Sequence, residues 1–200
     1  MKRAKTKPNR WQDHYARQAK KEKFPARSVY KLKEIQQKYR LIKAGDKVLD
    51  LGCYPGSWLL FAASLTGSNG QVVGVDLKPV TVNTPAHVRV YTADIFALHD
   101  EFFMSEGKDF NVVISDMAPA TTGSKFVDNT RSFDLCSAAL VMAQKVLIPG
   151  GSFACKIFHG EDFKVFSDSV QKSFKTLKIY KPQSSRKASR EIYIIGLGKM

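Results

Sequence analysis

An α/β fold is predicted, a mostly parallel seven-stranded sheet with helices on both faces. Three features carry the prediction. Seven short apolar runs, rich in β-branched and aromatic residues, are bounded by turn residues. Helical spacing of apolar residues recurs between most of these runs. Acidic residues and glycines stand just beyond the strand ends, where open sheets of this class bind their ligands.

Residues 1–25 are polar, with little apolar periodicity, and read as a basic N-terminal arm, partly helical or unordered until bound. Residues 26–200 form the single domain. Val29, Leu32, Ile35 and Tyr39 recur at helical spacing behind Ser28, a candidate N-cap. Residues 41–46 turn the chain into a first strand at 47–51. A helix over 57–65 ends at Gly67-Ser68-Asn69-Gly70. Strands follow at 71–76, 88–91 and 110–115. A long helix over 132–147 is expected to stop at Pro149-Gly150-Gly151, before a fifth strand at 152–157. An amphipathic helix over 161–174 precedes the last two strands, at 176–180 and 191–197.

Composition narrows the class. Two hundred residues suit one domain, and 44% apolar with 25% charged residues is ordinary globular usage. No apolar run approaches the ~20 residues of a helical membrane span. Cys53, Cys136 and Cys155 lie far apart with no Cys-x-x-Cys pair, which argues against a zinc cluster or a disulfide framework. No metal is expected. The basic start is not followed by the apolar core of a secretory signal, so the cytoplasm is the expected compartment.

Charge is distributed unevenly. Residues 1–40 carry 14 basic and 3 acidic groups, 41–155 carry 8 and 11, and 156–200 carry 10 and 4. A near-neutral body with basic ends is the electrostatic footprint of a protein that binds a polyanion, here nucleic acid. A solvated tail is the plainer alternative.

The run Asp50-Leu51-Gly52-Cys53-Tyr54-Pro55-Gly56-Ser57-Trp58 leaves the first strand and enters a helix. Gly52 and Gly56 permit close backbone approach to a ligand. The spacing matches neither the dinucleotide fingerprint nor the P-loop, so no phosphate cradle is present. Asp76 ends the second strand, where an acid accepts hydrogen bonds from ribose hydroxyls. Asp94 follows the third strand, within reach of an adenine amino group. An adenosine-bearing, phosphate-free, cationic cofactor suits these carboxylates, and S-adenosyl-L-methionine is that molecule. Turn glycines with Asp76 as a helix cap would leave unexplained three acids at three successive strand ends.

Four further residues are candidates for chemistry. Asp116 follows the fourth strand in Ser115-Asp116-Met117-Ala118-Pro119. Lys156 closes the fifth, Glu191 opens the last, and Lys31 lies on the first helix of the domain. Each has a structural alternative: a snorkelling lysine, a loop cap, an edge-strand charge, a solvated helix residue. Spacing alone does not bring them together.

Taken together, these motifs resemble the FtsJ/RrmJ family of S-adenosylmethionine-dependent ribose 2′-O-methyltransferases. The resemblance runs from about Arg10 to Lys199. It rests on Arg27-Ser28-Val29-Tyr30-Lys31-Leu32-Lys33-Glu34-Ile35, the 50–58 loop, the 115–119 run, Lys156-Ile157-Phe158-His159-Gly160, Lys181-Pro182-Gln183-Ser184-Ser185-Arg186 and Ser189-Arg190-Glu191-Ile192-Tyr193. It implies a Rossmann-like methyltransferase fold and a catalytic tetrad of Lys31, Asp116, Lys156 and Glu191, with Lys156 central. It further implies cofactor contacts at Gly56, Trp58, Asp76, Asp94 and Asp116, beside the Gly52 of the glycine turn. The implied substrate is a uridine of large-subunit (23S-type) ribosomal RNA, modified on the assembled large ribosomal subunit by a monomer. The alternatives are a tRNA ribose 2′-O-methyltransferase and, from a different class, a non-catalytic RNA-binding ribosome-assembly factor. Cys53-Tyr54 stands where the family usually has Ala-Ala, and Ala120 where it often has Asn.

Overall fold

The computed structural model describes residues 10–98, 105–120, 122–186 and 188–200. Two helices, α1 (Arg10–Lys21) and α2 (Val29–Tyr39), precede β1 (Lys47–Leu51), α3 (Ser57–Thr66), β2 (Gln71–Asp76), β3 (Val88–Thr92) and β4 (Phe110–Ser115). Then come α4 (Lys125–Val146), β5 (Leu147–Phe158), α5 (Phe163–Gln171), β6 (Phe174–Tyr180) and β7 (Glu191–Lys199). The strands form one sheet in the order β3-β2-β1-β4-β5-β7-β6. All pairings are parallel except those of β7, which runs antiparallel to both β5 and β6.

Strand alternation divides the core in two. Leu49, Leu51, Val113, Phe153 and Cys155 face α4 and α5, whereas Val48, Ile114, Ala154, Tyr193 and Ile195 face α2 and α3. Strand order reverses between β1 and β4, so their carboxyl ends diverge and open a crevice at the switch point. The three cysteines are buried free thiols.

Local boundaries differ from the sequence expectation for identifiable reasons. Part of the basic arm is the helix α1, docked through Ala19 and through Tyr15, whose ring meets Tyr30 at 5.1 Å. Two apolar contacts one turn apart suffice to seat it, too few to register as periodicity. Residues 1–9 of the arm lie outside the described residues. α4 starts seven residues early because Asp128 in its first turn accepts the Thr122 N–H at 2.7 Å, a polar anchor without apolar spacing. Pro149-Gly150-Gly151 does not end a helix in a loop. It lies inside β5, where the register with β4 shifts between Phe110 and Val112, and such bulges accommodate proline and positive-φ glycine. The helix over 161–174 is shorter, because Phe174 leaves it to begin β6 and stacks on Phe153 of β5. Ser28 occupies the N-cap position of α2, but its side chain caps nothing.

Candidate active site

The loop between β1 and α3 is shaped by its glycines. Gly52 has φ +80°, and a Cβ there would sit 2.3 Å from Met117 Cγ. Gly56 has φ +107°, with Val82 in the way at 2.8 Å. Side chains are thus excluded at both by backbone conformation and by space. Asp76 pins the loop, accepting the Tyr54 N–H at 3.0 Å and the Lys78 N–H at 2.8 Å. Asp94 accepts the Phe96 N–H at 3.0 Å and so starts a short 3-10 turn. Gly52, Asp76, Asp94 and Asp116 converge on one cavity of about 540 Å³, with Phe96 and Met117 among its apolar walls.

Gly56 and Trp58 are not among the residues lining it. Trp58 is buried; its indole N–H donates to the Ser28 carbonyl at 2.9 Å and its ring stacks on Tyr193 at 5.7 Å. It joins α3 to α2 and supports β7 from beneath.

The cavity fits S-adenosylmethionine in size and chemistry. Its volume is within the usual range for small-molecule sites. Carboxylate oxygens carry two lone pairs each, so Asp76 and Asp94 keep acceptors for hydroxyl and amino groups after holding the backbone. Asp50, just below the loop, is wholly buried and neither oxygen has a partner among the described residues. Burial, then the charges of Asp116 and Asp76, push its carboxyl well above the usual range, which favours the protonated form. A cationic ligand suits such an acid-rich site better than an anionic one.

The four candidate catalytic residues do converge. Lys156 Nζ lies 2.9 Å from Asp116 Oδ1 and also donates to the Asp116 carbonyl. Lys31 Nζ lies 2.9 Å from Glu191 Oε1 and 3.8 Å from Asp116 Oδ1. Two lysine amines therefore face two carboxylates. Burial alone would raise the Asp116 carboxyl; Lys156, Lys31 and the Tyr193 hydroxyl overcome it and hold the group below its usual value.

Tyr193 is the site residue that sequence reasoning missed. Its hydroxyl donates to Asp116 Oδ1 at 2.6 Å, and its ring is fully buried. Burial and the neighbouring Asp116 push the phenol well above its ordinary range, so it remains a donor. The available clue was strand periodicity: Tyr193 stands two residues after Glu191, on the same sheet face.

Among the described residues no helix is long and apolar enough to cross a membrane. No cluster of His, Cys, Asp or Glu among them has the grouping to hold a metal ion.

Residues 24–199 match the FtsJ-like methyltransferase family. The chain is 55% identical over 197 residues to the ribosomal RNA large subunit methyltransferase E of Desulforapulum autotrophicum, covering 98% of this chain and 97% of that one. The protein of the same name from Bdellovibrio bacteriovorus is 46% identical over 190 residues, 94% and 96% of the two chains. Among solved structures, a ribosomal RNA methyltransferase of Plasmodium falciparum superposes with a TM-score of 0.76 at 24% identity, over 88% of this chain and 98% of that one. Aeropyrum pernix fibrillarin, crystallised with natively bound S-adenosyl-L-methionine, gives 0.60 at 16% identity, over 78% and 68%. At such identities these two structures speak to the fold.

Proposed function

Because the chain belongs to the FtsJ-like methyltransferase family and is an S-adenosylmethionine-dependent enzyme, we propose that it methylates a ribose 2′-hydroxyl of large-subunit ribosomal RNA. One observation carries the reading. Asp116 both lines the cofactor cavity and holds Lys156, so the cofactor site and the amine share a carboxylate.

Bound in the cavity, S-adenosylmethionine supplies an electrophilic methyl group whose transfer removes a positive charge from sulfur. The residues of this chain then have two tasks: aligning the ribose oxygen with that methyl, and disposing of one proton. Lys156 Nζ already directs two bonds at Asp116, which leaves one position on nitrogen for the nucleophile. Lys31 bonds to Glu191 and stands 3.8 Å from Asp116. Lys156 is the amine held by the carboxylate that lines the cofactor cavity, and it takes the hydroxyl proton as general base. Asp116 and Tyr193 fix where that nitrogen points, and Glu191 holds Lys31 on the far side. Asp76 and Asp94 bind the nucleoside part of the cofactor. Gly52 and Gly56 keep the loop close, and Trp58 is assigned to the support of the site.

The basic ends suit a large RNA surface, with contact mainly through phosphates and strong salt dependence. The 2′-hydroxyl must be presented in an accessible, unstacked nucleotide. We assign a uridine on the assembled large subunit as the target, and a cytoplasmic monomer as the acting form.

The test is labelled methyl transfer to unmodified large subunits, free ribosomal RNA and tRNA, with wild type and Lys156→Ala. The expected result is alkali-resistant label in ribosomal RNA, strongest in intact subunits and lost in the variant. Label in tRNA alone would overturn the substrate. RNA binding without any label would overturn catalysis in favour of an assembly factor.

A further inference from the structure

Cys53 and Tyr54 are the two residues of the glycine loop that depart from the family's usual Ala-Ala, and the fold sends them opposite ways. Cys53 is buried in the core cluster on the α2 and α3 side of the sheet. A Cβ on Gly74 of β2 would meet its Sγ at 2.9 Å, so the thiol fills the space that this glycine leaves. Tyr54 is turned out. It is 48% exposed and lines the cofactor cavity.

The pose of the Tyr54 ring is set from two sides. Asp76 takes the Tyr54 N–H on one carboxylate oxygen and the Lys78 N–H on the other, at 3.0 and 2.8 Å. One acid thus registers the loop after β1 against the segment after β2. The Lys78 ammonium then lies 5.2 Å from the centre of the Tyr54 ring, within cation–π range. Lys78 lines the same cavity. Its backbone goes to Asp76 and its ammonium to the ring, so the carboxylate keeps lone pairs for the cavity. The ring belongs to none of the apolar clusters of the core. An aromatic side chain fixed in a cavity wall, yet left half uncovered by its own protein, is apolar area kept for a ligand.

We infer that Tyr54 is a cofactor-binding residue that covers the ribose of S-adenosylmethionine at Asp76, and that Lys78 is the positioning residue that holds the ring there. The inference rests on the assignment of Asp76 to the nucleoside and extends it to the wall beside that acid. Burial of the ring against the nucleoside adds affinity that an alanine at this position does not supply.

The experiment is calorimetric titration of the full chain with S-adenosylhomocysteine and, separately, with adenosine, which carries the ribose but no methionine end. The variants are Tyr54→Ala, Tyr54→Phe, Lys78→Ala and Lys78→Arg. Tyr54→Ala should weaken both ligands by the same factor, about tenfold. Tyr54→Phe keeps the ring and should stay within about twofold of wild type. Lys78→Ala should weaken binding about two- to fivefold, and Lys78→Arg should restore it, since a guanidinium also stacks on an aromatic face. Adding Lys78→Ala to Tyr54→Ala should cost nothing further, because the two act as one unit. Melting temperatures should shift little, since both side chains lie at the surface. Unchanged affinity in Tyr54→Ala, or a loss for S-adenosylhomocysteine but not for adenosine, would overturn the cover. So would unchanged cofactor affinity with weaker binding of a ribosomal RNA transcript, which would make the ring an RNA contact. A wild type that binds neither ligand would instead overturn the cofactor reading on which the inference rests.

Discussion

Lys156 Nζ makes two contacts to a single residue, the Oδ1 and the backbone carbonyl of Asp116. Both fix the nitrogen from one side, which is how an amine on a flexible stem becomes a directed group. Lys156→Ala should lower kcat by about 10²–10⁴, the usual worth of a positioned base, with cofactor affinity retained. Single-turnover methyl transfer reads the rate, and an unchanged rate in the variant would remove the base role.

Asp116 contributes stability of the opposite pH sense to Asp50. Its folded carboxyl is below the ordinary value, so its contribution is present above the unfolded value of 3.8 and is lost as pH falls through the folded one. Asp116→Asn should therefore lower Tm at neutral pH and flatten the acid limb of the stability curve, the difference from wild type shrinking as pH falls. Thermal melts in an acid pH series read this directly.

Asp50 is raised above 3.8 by burial, so the folded state keeps a proton that the unfolded state releases. Stability falls as pH rises from 3.8 towards the folded value. Asp50→Asn preserves shape and neutrality in the fold, and removes the ionisable group from the unfolded chain. Its Tm should exceed that of wild type at pH 7, and the difference should vanish in acid. Equal Tm values at both pH values would show that Asp50 is not held as a neutral acid.

Gly52→Ala places a methyl 2.3 Å from Met117 Cγ at a φ of +80°. Left-handed backbone costs a non-glycine residue roughly 1–2 kcal/mol, before Met117 moves into the cavity it lines. Cofactor affinity should fall at least about tenfold. Calorimetric titration with S-adenosylhomocysteine measures it, and unchanged affinity would mean that the loop yields freely.

Trp58→Phe keeps a ring under Tyr193 but removes the N–H that reaches Ser28. The expected cost is about 1 kcal/mol of stability with cofactor affinity unchanged. A loss of affinity at constant Tm would make Trp58 a cofactor contact after all.

What could be read from the sequence follows from which forces are local. The strands β1, β2 and β4 are short apolar runs, buried on both faces, and their limits appear directly in composition. Asp76, Asp94 and Asp116 were recognisable because strand ends in such sheets face one crevice. The start of α4 was not, since it depends on Asp128 meeting Thr122 rather than on apolar period. Nor was the pairing of Lys31 with Glu191, which spans 160 positions and needs the sheet order first. Tyr193 looked like any aromatic core residue; only its 2.6 Å bond to Asp116 sets it apart.

The late arrival of β7 has a consequence for how the protein is made. β6 precedes β7 in the chain yet touches the sheet only through it, since β7 lies between β5 and β6. Until β7 has emerged from the ribosome, β6 has no partner strand, and Glu191 and Tyr193 are missing from the site. Lys31, by contrast, has been available since early in translation. Synthesis itself therefore acts as a timer, and a nascent chain cannot use its cofactor on the RNA of the ribosome that is making it until the last strand closes.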